Sequence, residues 1–146
     1  MFWSRAFLAV ALLAPLSVNA ASVAGELKLW HKVTVEVAGP PSTESSAVNP
    51  FRDFRMDVTF TPPGNGAPRT VPGYFAADGN AGESGATSGT VWRAHFTPDQ
   101  TGAWSYSVAF KTGKLVAIDG GGAPASADDG ATGAFNVGVR DRKSVG

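Results

Sequence analysis

The sequence predicts an all-β fold, an immunoglobulin-like antiparallel β-sandwich of about seven strands. Three observations predict it. Apolar and polar residues alternate with period two in several short runs, the pattern of a strand with one buried and one wet face. Breakers separate those runs, since 146 residues include 18 glycines and 10 prolines and only 16% are charged. Beyond residue 20, apolar residues never recur at helical spacing over two turns. A closed barrel is the structural alternative.

Residues 1–20 are set apart from the fold. Arg5 supplies a positive start, residues 6–16 are an apolar run shorter than the roughly 20 residues a bilayer requires, and Ser17-Val18-Asn19-Ala20 ends in a small-x-small pattern. This predicts a secretory signal peptide cut after Ala20, against the alternative of an N-terminal membrane anchor. The protein is therefore expected to be exported, to the periplasm or the extracellular space, with no stable membrane insertion after cleavage. Residues 21–140 are expected to form one sandwich domain, and residues 141–146 a tail that opens a downstream region.

Residues 27–37 place Leu27, Leu29, His31, Val33, Val35 and Val37 on one parity and Lys28, Trp30, Lys32, Thr34 and Glu36 on the other. That is a half-buried strand, and Gly39-Pro40-Pro41 should end it. Phe54, Met56, Val58 and Phe60 alternate with Arg55, Asp57, Thr59 and Thr61 in the cleanest strand of the chain. Residues 70–75 form a shorter one, with Pro72 marking an edge or a bulge. Residues 76–89 read as a loop and residues 90–96 as a strand. After the turn Pro98-Asp99-Gln100-Thr101-Gly102, Trp104, Tyr106, Val108 and Phe110 define another inner face. Residues 114–118 are a short apolar segment, residues 119–133 a flexible loop, and Phe135, Val137 and Val139 the last strand.

Composition excludes several functions. Without Arg5 the net charge is near −1, and no basic stripe offers itself to nucleic acid. The chain has no cysteine, which removes disulfides, thiolate metal sites and a cysteine nucleophile. An exported chain of that kind fits a bacterial route. No cofactor is expected. Gly82-Glu83-Ser84-Gly85 lacks the spacing of a nucleophile elbow. His31 reads as a core or half-core imidazole and His95 as a residue of the solvated face, so two isolated histidines make no metal site. Asp78, Glu83, Asp99, Asp119, Asp128 and Asp129 read as solvated loop acids rather than the facing pair of a glycosidase. The loops at Asp78 and Asp128 are minor calcium candidates, with ordinary turn chemistry as the preferred explanation. Trp92, Trp104 and Tyr106 fall on burying parities. Trp30 and Tyr74 fall on the opposite ones, which makes them the candidates for binding or interdomain contact.

Asn49-Pro50-Phe51, Val71-Pro72-Gly73-Tyr74-Phe75, Arg93-Ala94-His95-Phe96-Thr97-Pro98, Gly102-Ala103-Trp104-Ser105-Tyr106 and Gly133-Ala134-Phe135-Asn136-Val137 occur in this order. In order and spacing, residues 27–139 resemble an immunoglobulin-like domain of unknown function. That domain stands at the N-terminus of secreted proteins assigned as glycoside hydrolases, where a (β/α)₈ barrel follows. The resemblance implies a non-catalytic accessory module that packs against a downstream glycosidase-like barrel, which this sequence lacks. The alternative is a free-standing carbohydrate-binding module whose exposed aromatics stack on a polysaccharide. The family's catalytic carboxylates belong to the barrel, and none maps onto this chain, so no enzyme activity is expected of it.

Overall fold

A computed structural model describes residues 21–141, and the predicted signal peptide and most of the tail lie outside them. β1 (Ser22–Gly25), β2 (Val33–Thr43), β3 (Phe54–Thr61), β4 (Arg69–Pro72), β5 (Tyr74–Phe75), β6 (Ser88–Phe96), β7 (Gly102–Thr112), β8 (Ala123–Pro124) and β9 (Thr132–Val137) follow in chain order. Two one-turn helices interrupt them, α1 (Ala81–Ser84) and α2 (Val116–Asp119). One sheet runs β1-β2-β6-β5. The other runs β4-β3-β7, with β8 and β9 sharing the far edge of β7. All strand pairs are antiparallel. The architecture is the predicted all-β sandwich.

Period-two alternation builds the core. Val33, Val35 and Val37 of β2 and Trp92, Ala94 and Phe96 of β6 face Met56, Val58 and Phe60 of β3 and Trp104, Tyr106, Val108 and Phe110 of β7, all of them buried. The aromatics interlock across the gap. Phe60 stacks on Phe96 with centroids 4.3 Å apart, and Trp92 lies 4.9 Å from Phe110. Each such side chain contributes about 1.5–3 kcal/mol by leaving water, and in a chain without cysteine these contacts carry the stability.

Four features depart from the sequence reading. Residues 27–32 are not strand: Leu27 and Trp30 have φ of 52° and 64°, and β2 begins at Val33. The strand does not end at Gly39-Pro40-Pro41 but absorbs those residues as an irregularity between Ala38 and Ser42, then pairs again. Gly39 is required there, since a Cβ would lie 2.7 Å from the Trp92 indole. Residues 70–75 serve both sheets. β4 pairs with β3, the chain crosses at Gly73, and β5 pairs with β6. A Cβ at Gly73 would meet Met56 Sδ at 2.7 Å, so any larger residue requires Met56 to move. Finally, β1, the two-residue strand β8 and both helices are too short for periodicity to register.

Candidate functional site

The segment Asn49 to Asp53 is a self-bonded loop ahead of β3. Asn49 Oδ1 accepts the Phe51 amide at 2.9 Å, and Asp53 Oδ2 accepts the Asn49 amide at 2.9 Å. Arg52 donates to both Asp53 oxygens, at 2.9 and 2.7 Å, and the Leu115 amide adds a bond at 3.1 Å. The Arg52 bond, then the amides of Asn49 and Leu115, hold the Asp53 carboxyl far below the usual carboxylate range against the opposing effect of burial. The loop thereby fixes Phe51, 59% exposed, edge-on to Phe75 at 6.3 Å.

Phe51 forms one wall of a cleft of about 340 Å³. The buried Phe54, Trp92 and Phe75 floor it, the exposed Tyr74 also lines it, and the ion-paired Arg55 and Asp57, 2.7 Å apart, supply polar groups. Tyr74 is 44% exposed. Its hydroxyl is 2.8 Å from His95 Nε2, and His95 Nδ1 is 2.9 Å from Thr34 Oγ1. Burial, then the charges of Lys32 and Arg93, lower the His95 pKa and keep the imidazole neutral at pH 7. Both ring nitrogens are thus consumed, and His95 lies half-buried on the outer face, opposite the buried Ala94 and Phe96. Beside it, Arg93 binds Glu36 at 2.7 and 2.9 Å and the Gly79 carbonyl at 2.6 Å. This row orients Tyr74 but presents no free base next to a nucleophile.

Trp30 lies elsewhere. It sits in a turn, not on a strand face, and is 57% exposed. Its amide donates to the Pro98 carbonyl at 2.9 Å. Tyr74 pairs with Arg93, five residues before Pro98, so the two aromatics are on the order of 15 Å apart along β6 and occupy different ends of the sandwich. Around Trp30, the Leu29 amide donates to the Gly138 carbonyl at 2.9 Å and the Gly138 amide to the Leu27 carbonyl at 2.8 Å. Lys28 pairs with Asp141, and each shifts the other toward its charged form. His31 is half-buried, within the sequence reading, with Nδ1 3.1 Å from Glu26 Oε2. Val139, 75% exposed, adjoins this clasp where the chain leaves the sandwich.

The acids need a partial correction. Glu83 and Asp119 are exposed, as expected. Asp78 accepts the Asn80 amide at 2.8 Å and the Ser84 hydroxyl at 2.6 Å, an ordinary turn arrangement. Asp99 pairs with Arg69 at 2.7 Å. Asp128 and Asp129 are not solvated. Asp128 is 3% exposed and accepts the Ala38 amide. Asp129 accepts the Phe110 amide at 2.7 Å and Lys111 Nζ at 2.6 Å. Burial raises the Asp129 pKa, and these two partners more than reverse it. Among the described residues no three His, Cys, Asp or Glu side chains converge as a metal site. No helix among them is long and apolar enough to cross a membrane. The buried acids were missed because loop composition carries no signal for burial. The Asn-Pro-Phe-Arg-Asp spacing was the available clue to Asp53, since Asn and Asp bond backbone amides within a few residues.

The chain is thus a β-sandwich with an aromatic cleft on one side and a clasped chain exit at the other end. The chain belongs to the family described as Domain of unknown function (DUF5060), whose pattern matches residues 26–111. No curated protein matches it. Its fold is similar to part of a solved structure described as a putative glycoside hydrolase from Bacteroides vulgatus, with a TM-score of 0.52 and 20% identity. The similarity covers 80% of this chain and 17% of that one, so the sandwich corresponds to one part of a much longer protein.

Proposed function

We propose that this chain is the non-catalytic accessory module of an exported carbohydrate-active enzyme, and that it packs against a glycosidase-like barrel encoded downstream. The observation that carries the reading is the exit. Residues 138–141 leave the sandwich clasped to residues 27–29, with Trp30 and Val139 exposed beside the departing chain. A following domain would meet that apolar surface first, and interfaces within a chain bury roughly 600–1,500 Å². The share of the similar hydrolase that the sandwich spans supports the same reading. Sequencing the gene beyond the codon for Gly146 tests it. An open frame encoding a barrel is the expected result, and a stop codon there overturns it.

The cleft favours a second reading, a carbohydrate-binding module. Phe51 and Tyr74 line about 340 Å³, enough for a sugar ring, with Arg55 and Asp57 at hand for its hydroxyls. Titration with plant and bacterial polysaccharides, followed by the emission of Trp92 in the cleft floor, decides between the two. On neither reading does the chain turn over aryl glycosides or esters.

A further inference from the structure

β1 begins one residue after the cleavage point that the sequence predicts. Ser22 is registered opposite Glu36, so continuing the antiparallel ladder sets Ala21 against Val37 and its nitrogen toward Ala38. Ala21 is itself held in place. The Tyr106 hydroxyl donates to its carbonyl at 3.0 Å, and its methyl packs on the core. Just past this end of β1, Ser22, Glu36, Ala38 and Asp128 line a cavity of about 290 Å³. Two acids face it, and they differ. Glu36 is satisfied by Arg93 at 2.7 Å. Asp128 is 97% buried, takes a single bond from the Ala38 amide at 3.2 Å, and has no cationic partner among the described residues. Its second oxygen is not sealed in the core, and Asp128 lines the cavity, where a cation can reach it. Asp128 is also near Ala21: it accepts the amide of Ala38, the residue after Val37, which the ladder sets opposite Ala21.

We propose that Ala21 is a processing site and that its new α-ammonium completes the buried site at Asp128. The proposal rests on the export reading. A peptidase selective for small residues adds water across the Ala20–Ala21 peptide bond. The Ala20 carbonyl carbon takes the hydroxyl. The Ala21 nitrogen takes the hydrogen and, at neutral pH, a further proton from solvent. An uncharged amide thereby becomes a cation at the end of β1, and the charge that Asp128 lacks is supplied by cleavage rather than by a side chain.

The test compares chain 21–146 with a free Ala21 amine against the same chain acetylated there, each with Asp128 and with Asp128→Asn, which keeps the acceptor for Ala38. Acetylation is expected to lower the melting temperature by about 5 °C in the first pair and not in the second. In the free-amine protein the α-amine should titrate above its ordinary value of about 8. Its contribution is then present below that pH and lost as pH rises through the elevated value. The charged groups facing it are Asp128, Glu36 with Arg93, and Tyr106, which titrates higher still. Mass spectrometry of the exported protein separates the two ways of failing. A first residue other than Ala21 removes the processing reading. A first residue at Ala21 with equal melting of the free and acetylated forms, or an unshifted α-amine, overturns the pairing alone. The amine titration needs no variant, so the pairing stays testable even where Asp128→Asn fails to fold.

Discussion

The two buried tryptophans of the core end differently. Trp104 donates its indole N–H to the Gln100 carbonyl at 3.0 Å, packs 5.0 Å from Phe96, and has Arg69 6.0 Å from its ring centroid. Trp92 is as deeply buried, yet its Nε1 has no partner among the described residues, and one side of its ring floors the cleft. The difference marks two ends of one sandwich. The Trp104 end is sealed, and there the chain leaves beside Trp30. The Trp92 end is open, walled by Phe51 and Tyr74. A module that must hold a neighbour in fixed orientation needs the first kind of end, and one that receives a small ligand needs the second.

The largest test of this contrast is substitution in the sealed end. Trp104→Ala should cost about 3–5 kcal/mol in chemical denaturation. Trp104→Phe should cost about 1 kcal/mol more than Trp92→Phe, because only Trp104 gives up a hydrogen bond and strands its acceptor. Equal costs would dissolve the distinction. Next comes the acid limb. Asp53 is held far below its unfolded value, so its contribution is fully present well above about pH 4 and is lost progressively as the pH falls through and below that value. Asp53→Asn should flatten the acid limb of stability in a pH series of melts. Smaller again is the row beside the cleft. His95 should titrate below 6.5 by NMR, so that protonation favours the unfolded chain and stability declines as pH falls through that value. Tyr74→Phe removes one hydrogen bond to His95 at a half-exposed site and should cost about 0.5–1 kcal/mol. The smallest effect is Trp30→Ala, within about 0.5 kcal/mol for the chain alone, while the fluorescence accessible to iodide quenching disappears. A large loss of stability would mean that Trp30 is structural rather than a contact surface.

The inner faces were legible because alternation is a local property. Every second residue of β3 and β7 from Phe54 to Phe60 and from Trp104 to Phe110 is buried, as parity requires. Parity failed where the backbone turned. Leu27 and Trp30 continue the alternating pattern in letters, but their positive φ removes them from any strand. The exposure of Trp30 follows from that turn and its bond to Pro98, not from a wet sheet face. The division of residues 70–75 between two sheets depended on the room around Met56, a contact distant in sequence. Asp128 was read as a loop acid because nothing in its neighbours' identity says that Ala38 will donate to it from 90 residues away.

The clasp between residues 27–29 and Gly138 has a consequence for the order in which the protein is made. Lys28 meets Asp141 across 113 residues, so the first turn cannot find its partners until the last strand has been synthesised and, in an exported chain, delivered. The module locks late. A chain cut short after β7 would keep most of its core but leave the Leu27–Leu29 backbone open, an unfinished hem that a housekeeping protease can grip.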